Sequence, residues 1–122
     1  MSDAHDCDKV AALEVRLAQG DVLHLSPDVT DLLERVARDV AIPDAEARKA
    51  LLDSASATTL VREIRHRIRE GSRRLMRAIS EANRLKDAGD VSAARKRLED
   101  VLTVEVVPLY RQHAEAELSY LE

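Results

Sequence analysis

The chain has 122 residues, 34% of them charged and 45% hydrophobic, with a formal net charge of −4. That length can bury one modest core, and the composition excludes a disordered polar chain. No apolar run approaches the roughly 20 residues of a bilayer-spanning helix, and the acidic start "MSDAHDCDKV" has neither the basic opening nor the apolar stretch of a signal peptide.

There is no Phe or Trp, and Tyr110 and Tyr120 are the only aromatics. Leu, Val, Ile and Ala must therefore form the core, which favours closely packed helices over sheets. Along the chain, Asp6 or Asp8 caps a first helix that carries Val10, Leu13 and Leu17 and stops at Gly20. Residues 1–7 read as a frayed end. Ser26 as N-cap with Pro27 at the first helical position starts a second helix, whose apolar set is Val29, Leu32, Leu33, Val36 and Val40. "IPDAEARKALL" predicts a short third helix from Pro43, with Leu51 and Leu52 buried. The cluster "DSASATT" at 53–59 offers several caps for the longest helix, about residues 57–88, roughly 48 Å by helical rise. Gly89 ends it, and Asp90 caps a helix over "VSAARKRLEDVL". In "TVEVVPLYRQHAEAEL" the valines favour strand locally, but they are too few to pair, so a helix broken near Pro108 is expected.

Residues 61–77, "VREIRHRIREGSRRLMR", hold seven arginines and a histidine against two glutamates. Val61, Ile64, Ile68, Gly71, Leu75, Ala78, Ala82 and Leu85 alternate steps of three and four, an apolar seam on one face. The glycine and alanines on that seam let a neighbouring helix approach closely. All seven arginines fall off it. Arg62, Arg65, Arg69, Arg73 and Arg77 run up one flank as a stripe ~22 Å long, and Arg67 and Arg74 sit on the other. The plain reading is a solvated face whose heads pair with acids elsewhere, and residues 1–57 supply twelve acids against six basic residues. Among functional readings, an acidic protein partner fits a rigid arginine stripe. Nucleic acid fits less well, because the chain is acidic overall and no aromatic interleaves the arginines.

Other candidate chemistry is thin. Glu63 and His66 make one E-x-x-H, half of a di-iron set, and both lie off the apolar seam. His5, Asp6, Cys7 and Asp8 are ligand types without a second cluster. Cys7, the single cysteine, has no internal disulfide partner, which suits a reducing cytoplasm, and no positioned base to make it a nucleophile. His113 and Glu117 have the spacing of an ordinary helix-face pair. No phosphate loop or nucleophile motif is present, so no catalytic, cofactor-binding or metal-ligating residue is assigned and an enzyme is not expected.

"RIREGSRRL" at 67–75 and "LKDAGDVSAARKRLEDVLTVEVVPLYRQHAEAEL" at 85–118 are similar to the DUSAM domain, a family of short paralogous proteins found mainly in myxobacteria with no assigned activity. "EGS" (70–72), "AGD" (88–90) and "VEVVPLYR" (104–111) look most like its signatures. The resemblance implies a stand-alone helical module with many paralogues, as suits adaptor or immunity roles, and carries over no site residue. "LMRAISEANRLKDAGDVSAARKRLEDVLTVEVVP" also looks like one tetratricopeptide unit, though a single unit cannot stack.

The expectation is thus an all-α domain over residues 1–122, a five- or six-helix bundle around the long helix with a tetratricopeptide-like hairpin at its C-terminal end. It is a cytoplasmic, non-catalytic module that binds an acidic protein partner through Arg62, Arg65, Arg69, Arg73 and Arg77. An immunity protein against a neighbouring toxin is the narrower alternative and nucleic-acid binding a further one. An overhang of the long helix would leave part of its seam for a second copy, giving a homodimer.

Overall fold

The computed structural model describes residues 4–121 and is all-α. Its helices are α1 (Ala4–Ala18), α2 (Pro27–Asp39), α3 (Asp44–Ala50), α4 (Ser54–Asp87), α5 (Val91–Val104) and α6 (Pro108–Ser119). No strand occurs among the described residues. The chain divides into two compact units, Met1–Arg67 and Ile68–Glu122, so α4 supplies its first part to one and its second part to the other.

In the first unit α2 starts as its sequence demands. Ser26 Oγ accepts the Val29 N–H at 3.3 Å, and Pro27, with no N–H to leave unpaired, takes the first helical position. Leu32, Leu33, Val36 and Ala37 of α2 are buried, as are Val10 of α1 and Leu60, Val61 and Ile64 of α4. α1 is already helical at Ala4, so the caps expected at Asp6 and Asp8 lie inside the helix. Residues 1–3 lie outside the described residues. Asp6 turns inward instead, and Arg35 donates to it through Nε at 3.2 Å and Nη2 at 3.3 Å.

Two other expectations give way. Leu52 is 81% exposed and Leu51 only half-buried, because α3 is only seven residues long and gives way to a turn at both leucines. α4 begins three residues early, since the Asp53 carboxylate caps it by accepting the Ser56 N–H at 2.8 Å and its hydroxyl at 3.1 Å. Those bonds, led by the backbone one, hold the Asp53 carboxyl below its usual range.

Three helices end alike. After α1 and α4, Gly20 (φ 95°) and Gly89 (φ 86°) occupy the left-handed region, and the next N–H reaches back to Arg16 or Leu85, at 3.1 and 2.8 Å. This is the Schellman closure, which glycine suits because it has no Cβ to clash. After α2 the same bonds form, Ile42 N–H to Ala37 O at 2.9 Å and Ala41 N–H to Arg38 O at 3.1 Å, but the left-handed residue is Ala41, φ 66°. Left-handed backbone costs a non-glycine residue about 1–2 kcal/mol. Part of any relief is offset by glycine's freer unfolded chain. Ala41→Gly is therefore expected to stabilise by ~0.5 kcal/mol and raise Tm by ~2 °C; a lower Tm in thermal melting would contradict this.

In the second unit Asp90 caps α5 by accepting the Ala93 N–H at 3.0 Å. The core joins Leu75, Ala78 and Ala82 of α4 to Ala94, Leu98 and Val101 of α5 and Ala114 of α6. α5 stops at Val104 and α6 starts at Pro108, so the chain breaks near Pro108 as expected and the valines form no strand.

Candidate functional site

The seam of α4 is covered by the chain itself. Val61, Ile64, Gly71, Leu75, Ala78 and Ala82 are buried, and Ile68 and Leu85 are half-buried. No stretch of it overhangs, which removes that reason for a second copy.

The seven arginines divide by role. Arg65, only 19% exposed, donates from Nε to Glu14 of α1 at 3.3 Å. Arg67 donates to Glu63 and, through Nη1 at 2.9 Å, to the Val40 carbonyl at the end of α2, where a cation complements the helix dipole. Arg74 Nη1 donates to Glu105 at 3.0 Å. These three hold the fold. Arg62 and Arg77 are exposed, Arg69 is exposed while interacting within the chain, and Arg73 is 61% exposed beside Glu70 at 3.1 Å. The last is a surface pair one turn apart, of little energetic weight. Of the five stripe residues, Arg62 and Arg65 belong to the first unit and Arg69, Arg73 and Arg77 to the second.

The second unit therefore carries three of the four exposed stripe arginines. From Arg69 to Lys86 the exposed residues are four arginines, one lysine, Met76, Ser80 and Asn83, and none is acidic. Glu70 and Glu81, the acids in that span, are half-buried and engaged by Arg73 and Arg97. The Arg97 hydrogen bond holds the Glu81 carboxyl below its ordinary range. Met76 is 59% exposed, one turn beyond Arg73. Met76 and Arg84, outside the five-residue stripe expected from the sequence, join this face by their helical spacing from Arg73 and Arg77.

The segments "EGS" and "VEVVPLYR" meet in this unit for a structural reason. Glu105, its side chain 1% exposed, accepts from Arg74 and from the Val106 and Val107 N–H groups at 3.0 and 3.1 Å. Arg111 Nη1 closes the end of α5 on the Leu102 and Glu105 carbonyls, at 2.7 and 2.9 Å. The Tyr110 ring packs on Gly71, and its hydroxyl donates to the Ile68 carbonyl at 3.3 Å. "AGD" supplies the Gly89 turn and the Asp90 cap.

Among the described residues no group of three or more His, Cys, Asp or Glu could hold a metal. Glu63 and His66 are both exposed. Burial, then the nearby Asp39 carboxylate, pushes the Cys7 thiol up, away from nucleophilic character. His113 and Glu117 sit 3.7 Å apart as an ordinary pair. No helix among the described residues is long and apolar enough to cross a membrane.

The fold and this surface define a small all-α protein with a cationic helix face. The chain belongs to the family described as protein of unknown function (DUF2379), whose match runs over residues 5–121. No curated protein and no solved structure matches it.

Proposed function

We propose that the protein is a non-catalytic, cytoplasmic protein-binding module of the DUSAM type that holds an acidic protein partner on the exposed face of α4. Arg69, Arg73 and Arg77 are its centre, and Arg84 extends it. Arg65 has the structural duty of holding Glu14. The observation that carries this reading is the exposed Met76 set among exposed arginines, where the two acids of the span, Glu70 and Glu81, are engaged by Arg73 and Arg97. Arginine and methionine are enriched in protein interfaces, where charge gives register and an apolar side chain gives buried area. A phosphate backbone would use the arginines and have no use for the methionine. The narrower form of the reading is an immunity protein, in which the acidic partner is a toxin encoded beside it.

The phosphate alternative is tested by gel shift with single-stranded and duplex oligonucleotides at ~150 mM salt. No shift is expected. A salt-sensitive shift abolished by Arg69→Glu/Arg73→Glu/Arg77→Glu would make the face a nucleic-acid site and overturn the protein-binding reading.

A further inference from the structure

A second surface lies in the first unit, on α1 and α2. Two adjoining cavities, of about 410 and 510 Å³, open along α1 and α2 and share Leu13, Arg16 and Val29. Leu17 and Leu32 extend their apolar lining, and Val22, 68% exposed, stands at one end. The two walls carry opposite charge. α1 presents Lys9 and Arg16, and α2 presents Asp28 and Asp31, all four exposed. No ion pair within the chain engages Lys9, Asp28 or Asp31 among the described residues, while Arg16 makes only a loose pair with Asp21 at 3.9 Å. Arg35, on the same wall as the aspartates, is occupied by Asp6.

We infer that this groove is a docking surface for a second copy of the chain. The Asp6–Arg35 pair sets the start of α1 beside the later part of α2, and Arg16, late in α1, lines the groove with Asp28 at the start of α2, so the two helices run antiparallel. A two-fold axis along the groove then lays each α1 against the partner copy's α2 at matching height. Lys9 faces the second Asp31 and Arg16 the second Asp28, and each contact occurs twice, as an isologous interface requires. The apolar strip of Leu13, Leu17 and Val29 closes on itself as the seam of a four-helix bundle. The perpendicular two-fold would set α1 on α1, cation against cation. A groove with one basic and one acidic wall is self-complementary, and that singles out a second copy over a partner of one sign.

The contact is small. Helices of 15 and 13 residues with axes 8–10 Å apart offer a face about 20 Å on a side. That lies below the ~800 Å² per partner of stable complexes, so the dimer is weak and salt-sensitive.

Sedimentation equilibrium of the full chain from ~10 µM to ~1 mM tests it. Wild type is expected to pass from monomer to dimer across that range. Lys9→Glu/Arg16→Glu, which makes both walls acidic, and Asp28→Lys/Asp31→Lys, which makes both basic, are each expected to raise Kd at least ~10-fold. An equimolar mixture of the two restores both edges and is expected to recover near-wild-type association. Each variant must first match the wild-type circular dichroism; if either reversal unfolds the chain, Lys9→Gln/Arg16→Gln replaces it, with a weaker dimer expected. A wild type that stays monomeric at ~1 mM, a dimer indifferent to the substitutions, or folded charge-reversed variants that fail to associate when mixed would each overturn the inference.

Discussion

Glu105→Ala lowers the melting temperature by ~10–15 °C, the largest loss expected from any polar substitution in the second unit. The Glu105 side chain is 1% exposed and accepts from three donors, the Arg74 guanidinium and the N–H groups of Val106 and Val107. Alanine strands all three. Removing one member of a buried ion pair costs about 3–5 kcal/mol, because the other charge is left without its partner. The Arg74 side chain is 34% exposed and regains some water, which sets the loss near ~3 kcal/mol. Glu105→Gln separates shape from charge. Its amide nitrogen must face either Arg74 or the backbone N–H groups, donor against donor, so it recovers less than half of the loss. An alanine variant melting within ~2 °C of wild type would show that the carboxylate does not bind the α5–α6 connection to α4.

Gly71→Ala is expected to have the opposite sign from most glycine-to-alanine changes inside helices. Elsewhere alanine gains about 1 kcal/mol. Here a Cβ would stand 2.5 Å from Tyr110 Cδ2, 2.8 Å from Cε2 and 3.0 Å from the Glu105 carboxylate. The obstruction is the body of a ring whose hydroxyl is tied to Ile68, so overpacking of up to ~3 kcal/mol exceeds the helical gain. The net expectation is a loss of ~1–2 kcal/mol and a Tm lower by ~5 °C. In a Tyr110→Ser background the ring is gone, and the same alanine should stabilise by up to ~1 kcal/mol. Chemical denaturation of the four proteins of this cycle checks the reversal. A stabilising Gly71→Ala with the tyrosine in place would refute the close approach.

What the sequence made legible is what local chemistry dictates. Ser26 followed by Pro27, the glycines at 20 and 89, and Pro108 each mark a boundary because the backbone there needs that residue's geometry or its missing N–H. The turn after α2 has no such mark. Ala41 is held left-handed by a closure that also places Ile42 in the core, at 3% exposure, and an alanine has no signature for that conformation. Asp6 reads as a cap because its true partner, Arg35, lies 29 positions away. Leu51 and Leu52 follow a helix too short to carry both inward, so Leu51 is half-buried and Leu52 exposed, which their composition does not announce.

The candidate site divides along the same line. The arginine spacing on α4 follows from helical periodicity, and so does the close packing at Gly71. Which arginines stay exposed does not, because Arg65 finds Glu14 at 51 positions and Arg74 finds Glu105 at 31. Those pairings exist only once the chain is folded. They leave the open face centred on Arg69, Arg73 and Arg77, with Met76, which no run of charges announces.

The measurement that bears most directly on that face is a capture from nuclease-treated lysate of the native cell, read by mass spectrometry. Wild type would run beside Arg69→Glu/Arg73→Glu/Arg77→Glu, whose helical content had first been matched by circular dichroism. The expected result is one acidic protein retained by wild type and lost from the variant, its identity separating an adaptor's partner from a toxin. The same proteins on both baits, or none on either, would reduce the arginine face to a solvated side of α4.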